Sequence, residues 1–180
     1  MGPRERRRAA RAAERGRRPD PRALRRGLRA AHRGDVLSPR RFRASVDFAV
    51  APAVAFDYLG DPRNRPEWQS SLLSVTLPER AAEPHLGLAW RETTMVGVRP
   101  RMEITRFERP TAWAEVGRWR GVEATLVLAF EERRSGCRVI AEGEISGRGA
   151  YAVPAAVAGR LAGLAIGADL RKAARILGSR

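Results

Sequence analysis

The stretch VAFDYLGDPRNRPEW, residues 54–68, combines a short amphipathic helix, a capped turn and a terminal indole. Pro52 stands just before it and suits the first turn of a helix, where a backbone N–H is not needed. Gly60 is expected to end this first helix. Its apolar side is expected to hold Val54, Leu59 and either Phe56 or Ala55.

A second short helix is expected directly after the first. Asp61 followed by Pro62 is typical of a helix start, because the carboxylate caps free N–H groups and the proline fixes the first turn. Asn64 and Pro66 are expected to end this helix before Trp68. The stretch therefore predicts two short helices that meet at a bend.

Alternating apolar and polar residues on both sides of this stretch predict a sheet. The connections after the second strand are short, which favours an antiparallel meander. Seven strands are expected, at residues 40–50, 72–77, 88–96, 101–108, 111–119, 122–130 and 137–145.

Residues 151–177 form one long segment with apolar residues at helical spacing. Arg160 and Asp169 interrupt its apolar run, so we expect a helix packed on the sheet rather than a membrane span. Glycines spaced four residues apart would let this helix approach the sheet closely or would leave space beside it. These glycines are Gly159, Gly163 and Gly167.

This arrangement resembles the START/SRPBCC superfamily, in particular its polyketide cyclase/dehydrase and lipid-transport branch. The resemblance covers residues 40–178 and implies an α+β helix-grip fold, in which a curved seven-stranded antiparallel sheet surrounds a long C-terminal helix. In that family the space between sheet and helix is a cavity for a lipid, a polyketide or another mostly apolar molecule. The residues that carry the resemblance are Val54, Phe56, Leu59, Asp61, Asn64, Pro66, Trp68 and the pair Arg109-Pro110.

The chain's basic charge lies mostly in its first part. Of a net charge of +15 over 180 residues, residues 1–40 contribute +10, from fourteen arginines and four acids. Residues 1–39 hold too few large apolar side chains to form a core, so we expect a disordered tail followed by one domain at 40–180. The tail is interpreted as a solvated extension or as a nonspecific arm for an anionic lipid or nucleic acid. A presequence agrees less well with Glu5 and Glu14.

Strand parity predicts which side chains face the cavity. On strand four two sets compete: Met102 with Ile104, or the set that includes Glu103, Thr105 and Phe107, and the resemblance favours the second. Each tryptophan is open to two interpretations, a cavity wall or simple core packing. The cavity residues expected are Trp68, Trp90, Glu103, Thr105, Phe107, Trp113, Leu126, Leu128, Ala141, Tyr151, Val157 and Leu161.

Catalytic candidates are restricted to three carboxylates on neighbouring strands, Glu92, Glu103 and Glu115. Two of them in one dry cavity would repel each other and raise one pKa, which would supply a general acid. The alternative is that all three pair with arginines on the outer face. No nucleophile triad, metal-ligand cluster or dinucleotide motif is present in the sequence, so no cofactor and no metal are expected.

We therefore expect the chain to bind a small apolar molecule, as a carrier or sensor, with polyketide cyclase, aromatase or dehydratase activity as the alternative. Only Tyr58 and Tyr151 offer phenols, whereas family cyclases use cavity arginines and tyrosines. A third interpretation is an interaction or membrane-tethered module that uses the arginine-rich tail. Cys137 is the single cysteine, which excludes an internal disulfide and suits the cytoplasm.

Overall fold

All seven strands lie in a single antiparallel sheet, in the order β1-β7-β6-β5-β4-β3-β2. The computed structural model of the chain describes residues 39–79 and 82–179. The meander predicted for strands two to seven is confirmed, and the first strand pairs with the last. The strands are β1 (Arg40–Phe48), β2 (Leu72–Thr76), β3 (Ala89–Thr94), β4 (Arg101–Glu108), β5 (Ala112–Trp119), β6 (Val122–Arg133) and β7 (Gly136–Gly147).

The helical stretch after β1 begins as predicted but ends differently. Helix α1 spans Pro52–Leu59, and Asp61 then caps a 3₁₀ turn at Pro62–Asn64 by accepting a hydrogen bond of 2.9 Å from the backbone N–H of Arg63. Helix α2 follows at Arg65–Trp68. The prediction that Pro66 ends the second helix is wrong, because this proline lies in the first turn of α2, where no N–H is required.

The long helix α3 spans Ala152–Gly178 and packs against β1 and β7. Its glycines lie over β1: a Cβ built on Gly159 would lie 2.4 Å from the Cβ of Arg40, and one built on Gly167 would lie 3.5 Å from the Cβ of Ala44. The helix is long and apolar enough to cross a bilayer by length and composition. In this fold its small residues bring it close to the sheet.

Buried aromatic side chains fill the α1 end of the sheet. Phe56 of α1 packs against Phe107 and Phe130, with ring centroids 5.2 Å apart in each pair. Trp113 is fully buried beneath Gly60, the residue that ends α1. At the opposite end of the sheet the interior is open.

Of the predicted tail, residues 1–39, the first 38 lie outside the described part of the chain. Its expected disorder, its binding to an anionic partner and the domain boundary at residue 39 therefore stay predictions. The predicted fold class is confirmed: one curved antiparallel sheet holds one long C-terminal helix, with the short helices after β1.

The glycines of α3 allow a matched test of helix packing. We expect Gly159→Ala to lower the free energy of unfolding by roughly 1–3 kcal/mol, since its methyl group would collide with Arg40 Cβ. Gly167→Ala should be neutral or stabilising by up to about 1 kcal/mol, because its methyl group makes ordinary contacts and alanine favours a helix. Urea unfolding of both variants measures this difference. Equal effects would contradict the packing described for α3.

Candidate functional site

A cavity of about 510 Å³ lies between the concave face of the sheet and the middle of α3. Its wall is mostly apolar, and the helix contributes small side chains there. Three exposed apolar residues, Met95, Val96 and Leu161, line the cavity and mark its mouth between the β3–β4 connection and the helix. The apolar wall includes Phe42, Met102, Trp119, Val122, Ala124, Leu126, Ile145, Ala158, Ala162, Ala165 and Ile166.

The floor of the cavity holds a buried ionic cluster centred on Arg65. The Nη1 atom of Arg65 donates to Glu115 Oε2 at 2.8 Å, and its Nε atom lies 2.7 Å from Glu92 Oε1. The second contact is an ion pair without hydrogen-bond geometry. The three side chains are at most 5 % exposed, so their charges must compensate one another. The first turn of α2 is thereby tied to β3 and β5.

Two tryptophans complete the surroundings of this cluster. The guanidinium of Arg65 lies 5.8 Å from the ring centroids of both Trp68 and Trp90, within cation–π range. Trp90 Nε1 also donates to Glu92 Oε1 at 3.0 Å. Both indoles therefore stabilise the buried cation rather than form the wall of the cavity.

The cluster is neutral or anionic according to the proton on Glu115. Burial raises the pKa of Glu115 to about 7, because desolvation, with a further contribution from Glu92, outweighs the attraction of Arg65. Burial alone would lower the pKa of Arg65, but the two carboxylates raise it above its ordinary value. Near neutral pH the guanidinium stays charged and Glu115 exchanges its proton.

A fourth charged residue reaches the cavity from α3. Asp169 is 7 % exposed, lines the cavity and accepts a hydrogen bond of 3.0 Å from the backbone N–H of Ser70 through Oδ1. Gln69 and Ser71, on either side of Ser70, also line the cavity. The polar end of the cavity is therefore assembled from α2, the loop after it, β3, β5 and α3.

Four of the predicted residues line this cavity. Leu126 belongs to its apolar wall, Leu161 to its mouth, and Glu92 and Glu115 to its floor. Five others are buried but lie behind the wall, within the packed interior or around Arg65. These are Trp68, Trp90, Trp113, Leu128 and Ala141.

The favoured parity of β4 is wrong for its first half. Met102 and Ile104 face the interior, whereas Glu103 points outward and lies 3.9 Å from Arg118. The apolar pair fills the interior, and the carboxylate stays in solvent next to a cation. This arrangement has the lower free energy, because a charged group is rarely buried unless it is paired. Of the three candidate carboxylates, Glu103 is thus excluded from the floor of the cavity.

A β-bulge reverses the parity in the second half of β4. The register shifts between Ile104 and Arg106, so the exposed Thr105 has no cross-strand partner. Beyond the bulge Phe107 pairs with Trp113 and packs on Phe56, outside the cavity. Thr105 and Phe107 are therefore not cavity residues.

Two predicted residues at the helix end of the site also lie outside the cavity. Val157 is 52 % exposed, because its neighbour Ala158 occupies the cavity side of α3 at this level. Tyr151 accepts a hydrogen bond of 3.0 Å from Arg120 and packs edge-on against Trp119. Trp119, rather than Tyr151, reaches the cavity.

Arg65 and Asp169 were not predicted as site residues. Arg65 is one of 35 basic residues, and the pattern that marks it is its position one helical turn before Trp68. In the sequence, Asp169 is only an interruption of an apolar helix. An acid within such a run is a usable signal, since a carboxylate on a buried helix face needs a partner.

The proton on Glu115 gives the folding stability a defined pH dependence. The unfolded chain has the ordinary pKa of 4.5, whereas the folded state holds it at about 7. Between these values the folded state binds more protons, so the free energy of unfolding falls as the pH rises. We expect the free energy of unfolding of the wild type to fall by an amount on the order of a few kcal/mol over this range. Glu115→Gln should remove that fall.

Urea unfolding of the wild type and Glu115→Gln from pH 4.5 to pH 7 measures this difference. Glu103→Gln is the matched control, since it removes an exposed carboxylate of the same type. Parallel stability curves for the wild type and Glu115→Gln would show that Glu115 does not hold a proton in the folded state.

Solved structures confirm the fold at low sequence identity. A protein from Mesorhizobium loti aligns with a TM-score of 0.62 at 14% identity, covering 78% of this chain and 98% of its own. Ara h 8.0201 aligns with a TM-score of 0.61 at 14% identity, covering 79% of this chain and 100% of its own. The di-domain ARO/CYC protein StfQ from the steffimycin biosynthetic pathway aligns with a TM-score of 0.60 at 17% identity, covering 92% of this chain and 62% of its own.

A comparison with curated protein sequences finds no significant match. The family model described as polyketide cyclase/dehydrase and lipid transport matches residues 39–180, which include every described strand and helix. This match and the sheet that surrounds α3 agree with each other. The chain belongs to the polyketide cyclase/dehydrase and lipid-transport family.

Proposed function

We propose that this protein binds a small, mostly apolar molecule in the cavity between sheet and helix, as a carrier or sensor. The observation that carries the proposal is the cavity itself, whose volume of about 510 Å³ lies within the range of small-molecule sites. Protein interiors are normally packed without such voids. A ligand that fills the cavity would bury its own apolar surface together with that of the wall.

The mouth of the cavity supports exchange of such a ligand with the surroundings. Met95, Val96 and Leu161 are between 60% and 85% exposed and border the opening. An apolar molecule entering between them would contact apolar surface before it reaches the interior. These three side chains therefore form a path for an apolar ligand from the surface to the wall.

Catalysis in the same cavity is the second candidate function, and Glu115 favours it. Its Oε2 atom is held by Arg65, and Oε1 accepts no hydrogen bond from the described residues. A carboxyl group with a pKa near 7 in an apolar cavity suits general acid–base chemistry. In a dehydration, Glu115 would protonate the leaving hydroxyl of a β-hydroxy carbonyl, and water would depart. The carboxylate would then recover a proton from the carbon next to the carbonyl.

Neither phenol of the chain assists that chemistry. Tyr58 donates to Glu67 at 2.9 Å and Tyr151 is bound to Arg120, and both lie outside the cavity wall. Binding is therefore the primary proposal. Cytoplasmic location and an anionic partner for the arginine-rich tail stay predictions.

Filling the cavity tests the binding proposal. Nile red, a neutral apolar dye, is expected to bind the wild type with increased fluorescence. Ala124→Phe places a ring in the cavity and should weaken dye binding at least about tenfold, equivalent to roughly 1.4 kcal/mol. Val127→Phe adds the same ring on the outer face of β6 and should leave binding unchanged. Absence of dye binding to the wild type, or equal loss in both variants, would contradict the proposal.

A substitution of Glu115 distinguishes a carrier from an enzyme. Glu115→Gln keeps the size of the side chain but cannot exchange a proton. If the protein is a carrier, Glu115→Gln should retain its affinity for Nile red, and neither the wild type nor the variant should turn over a substrate. An enzyme should dehydrate an apolar β-hydroxy ketone at a rate that falls at least about a hundredfold in Glu115→Gln, with Glu103→Gln unaffected. Product formation is followed by ultraviolet absorbance of the conjugated ketone, and dehydration that both variants retain would exclude Glu115 as the acid.

A further inference from the structure

We propose that the ligand carries a protonated amine on its apolar body and that Asp169 is the counter-ion for that amine. This inference rests on the proposed binding function and specifies the chemical class of the ligand. It concerns the polar end of the cavity, where Asp169 of α3 and the Arg65 cluster both contribute to the lining.

The charge of Asp169 is not balanced by a neighbouring cation. Its carboxylate is 7 % exposed, and no Lys, Arg or His among residues 39–79 and 82–179 forms an ion pair with it. Lys172 follows one helical turn later but does not pair with it. Its one hydrogen bond comes from the neutral backbone N–H of Ser70, and a buried carboxylate without a cation is unfavourable. A cation bound in the cavity would supply the missing charge.

The charge of Arg65, the one buried cation of the floor, is already compensated. Arg65 contacts Glu92 and Glu115 and lies between two indoles. A ligand carboxylate placed beside Arg65 would also meet these two acidic residues. Counted together, the floor carries three carboxyl groups and one guanidinium.

Asp169 also has unused hydrogen-bonding capacity. Its second oxygen accepts no hydrogen bond from the described residues. A ligand group that donates would satisfy it, whereas a carboxylate would add repulsion. An ammonium group both donates hydrogen bonds and neutralises charge, and charge-assisted bonds are the stronger kind. A hydroxyl would donate a hydrogen bond but would leave the charge of Asp169 unbalanced.

A series of ligands with one chain and three head groups tests this inference. Decylamine, decanol and decanoic acid, each below its critical micelle concentration, displace Nile red from the wild type at neutral pH. We expect decylamine to bind at least about tenfold more tightly than decanol, and decanoic acid to bind most weakly. The chain's net charge of +15 would by itself attract the acid, so preference for the amine cannot come from nonspecific attraction.

Asp169→Asn isolates the charge from the structural role of the residue. The asparagine oxygen can still accept from the N–H of Ser70, so the loop after α2 keeps its attachment to α3. We expect this variant to lose the tenfold advantage of decylamine while decanol binding is unchanged. Asp57→Asn, which removes an exposed carboxylate paired with Arg109, should keep the wild-type order.

Each outcome decides between the two proposals. If decanol displaces the dye but decylamine has no advantage in the wild type, the amine inference is overturned and the binding function stands. An advantage that persists in Asp169→Asn overturns the role of Asp169. If neither the dye nor any of the three probes binds, both proposals fail. Should Asp169→Asn not fold, the order of the three head groups on the wild type still decides the class of ligand.

Discussion

The burial of one arginine determines how this fold is assembled. Arg65 is 2% exposed, and a guanidinium at that depth is tolerated only where opposite charges and polarisable groups surround it. Glu92 of β3 and Glu115 of β5 provide the charge, and Trp68 and Trp90 provide the aromatic faces. Loss of one member of such a pair typically costs about 3–5 kcal/mol. The position of α2 against the sheet follows from this requirement.

The cavity exists because the two ends of the interior are filled differently. At the α1 end, Phe56, Trp113 and Phe130 fill the space between the helix and the sheet. At the other end α3 presents small side chains, among them Ala158 and Ala162, to a concave sheet, so the interior stays open. The ionic cluster separates the two regions and gives the apolar cavity a polar floor. An amphiphilic ligand would match that division.

Most of the fold was predictable, because it depends on repeating patterns. Strand alternation and the long apolar helix specify the meander and the helix-grip arrangement, and they agree with the family match to residues 39–180. The site was less predictable, since it depends on single residues. The bulge at Thr105 has no evident signature in the sequence, yet it decides the direction of Phe107. Arg65 and Asp169 look like ordinary charged residues until burial shows what surrounds them.

The floor of the cavity holds an exchangeable proton on Glu115. A ¹³C NMR titration of the glutamate side-chain carboxyl carbons measures this directly, with the resonance assigned by its loss in Glu115→Gln. One carboxyl is expected to titrate with a midpoint of about 7. Titration of the Glu115 carboxyl near the ordinary value of 4.5 would contradict it, because the carboxylate would then be fully ionised at neutral pH.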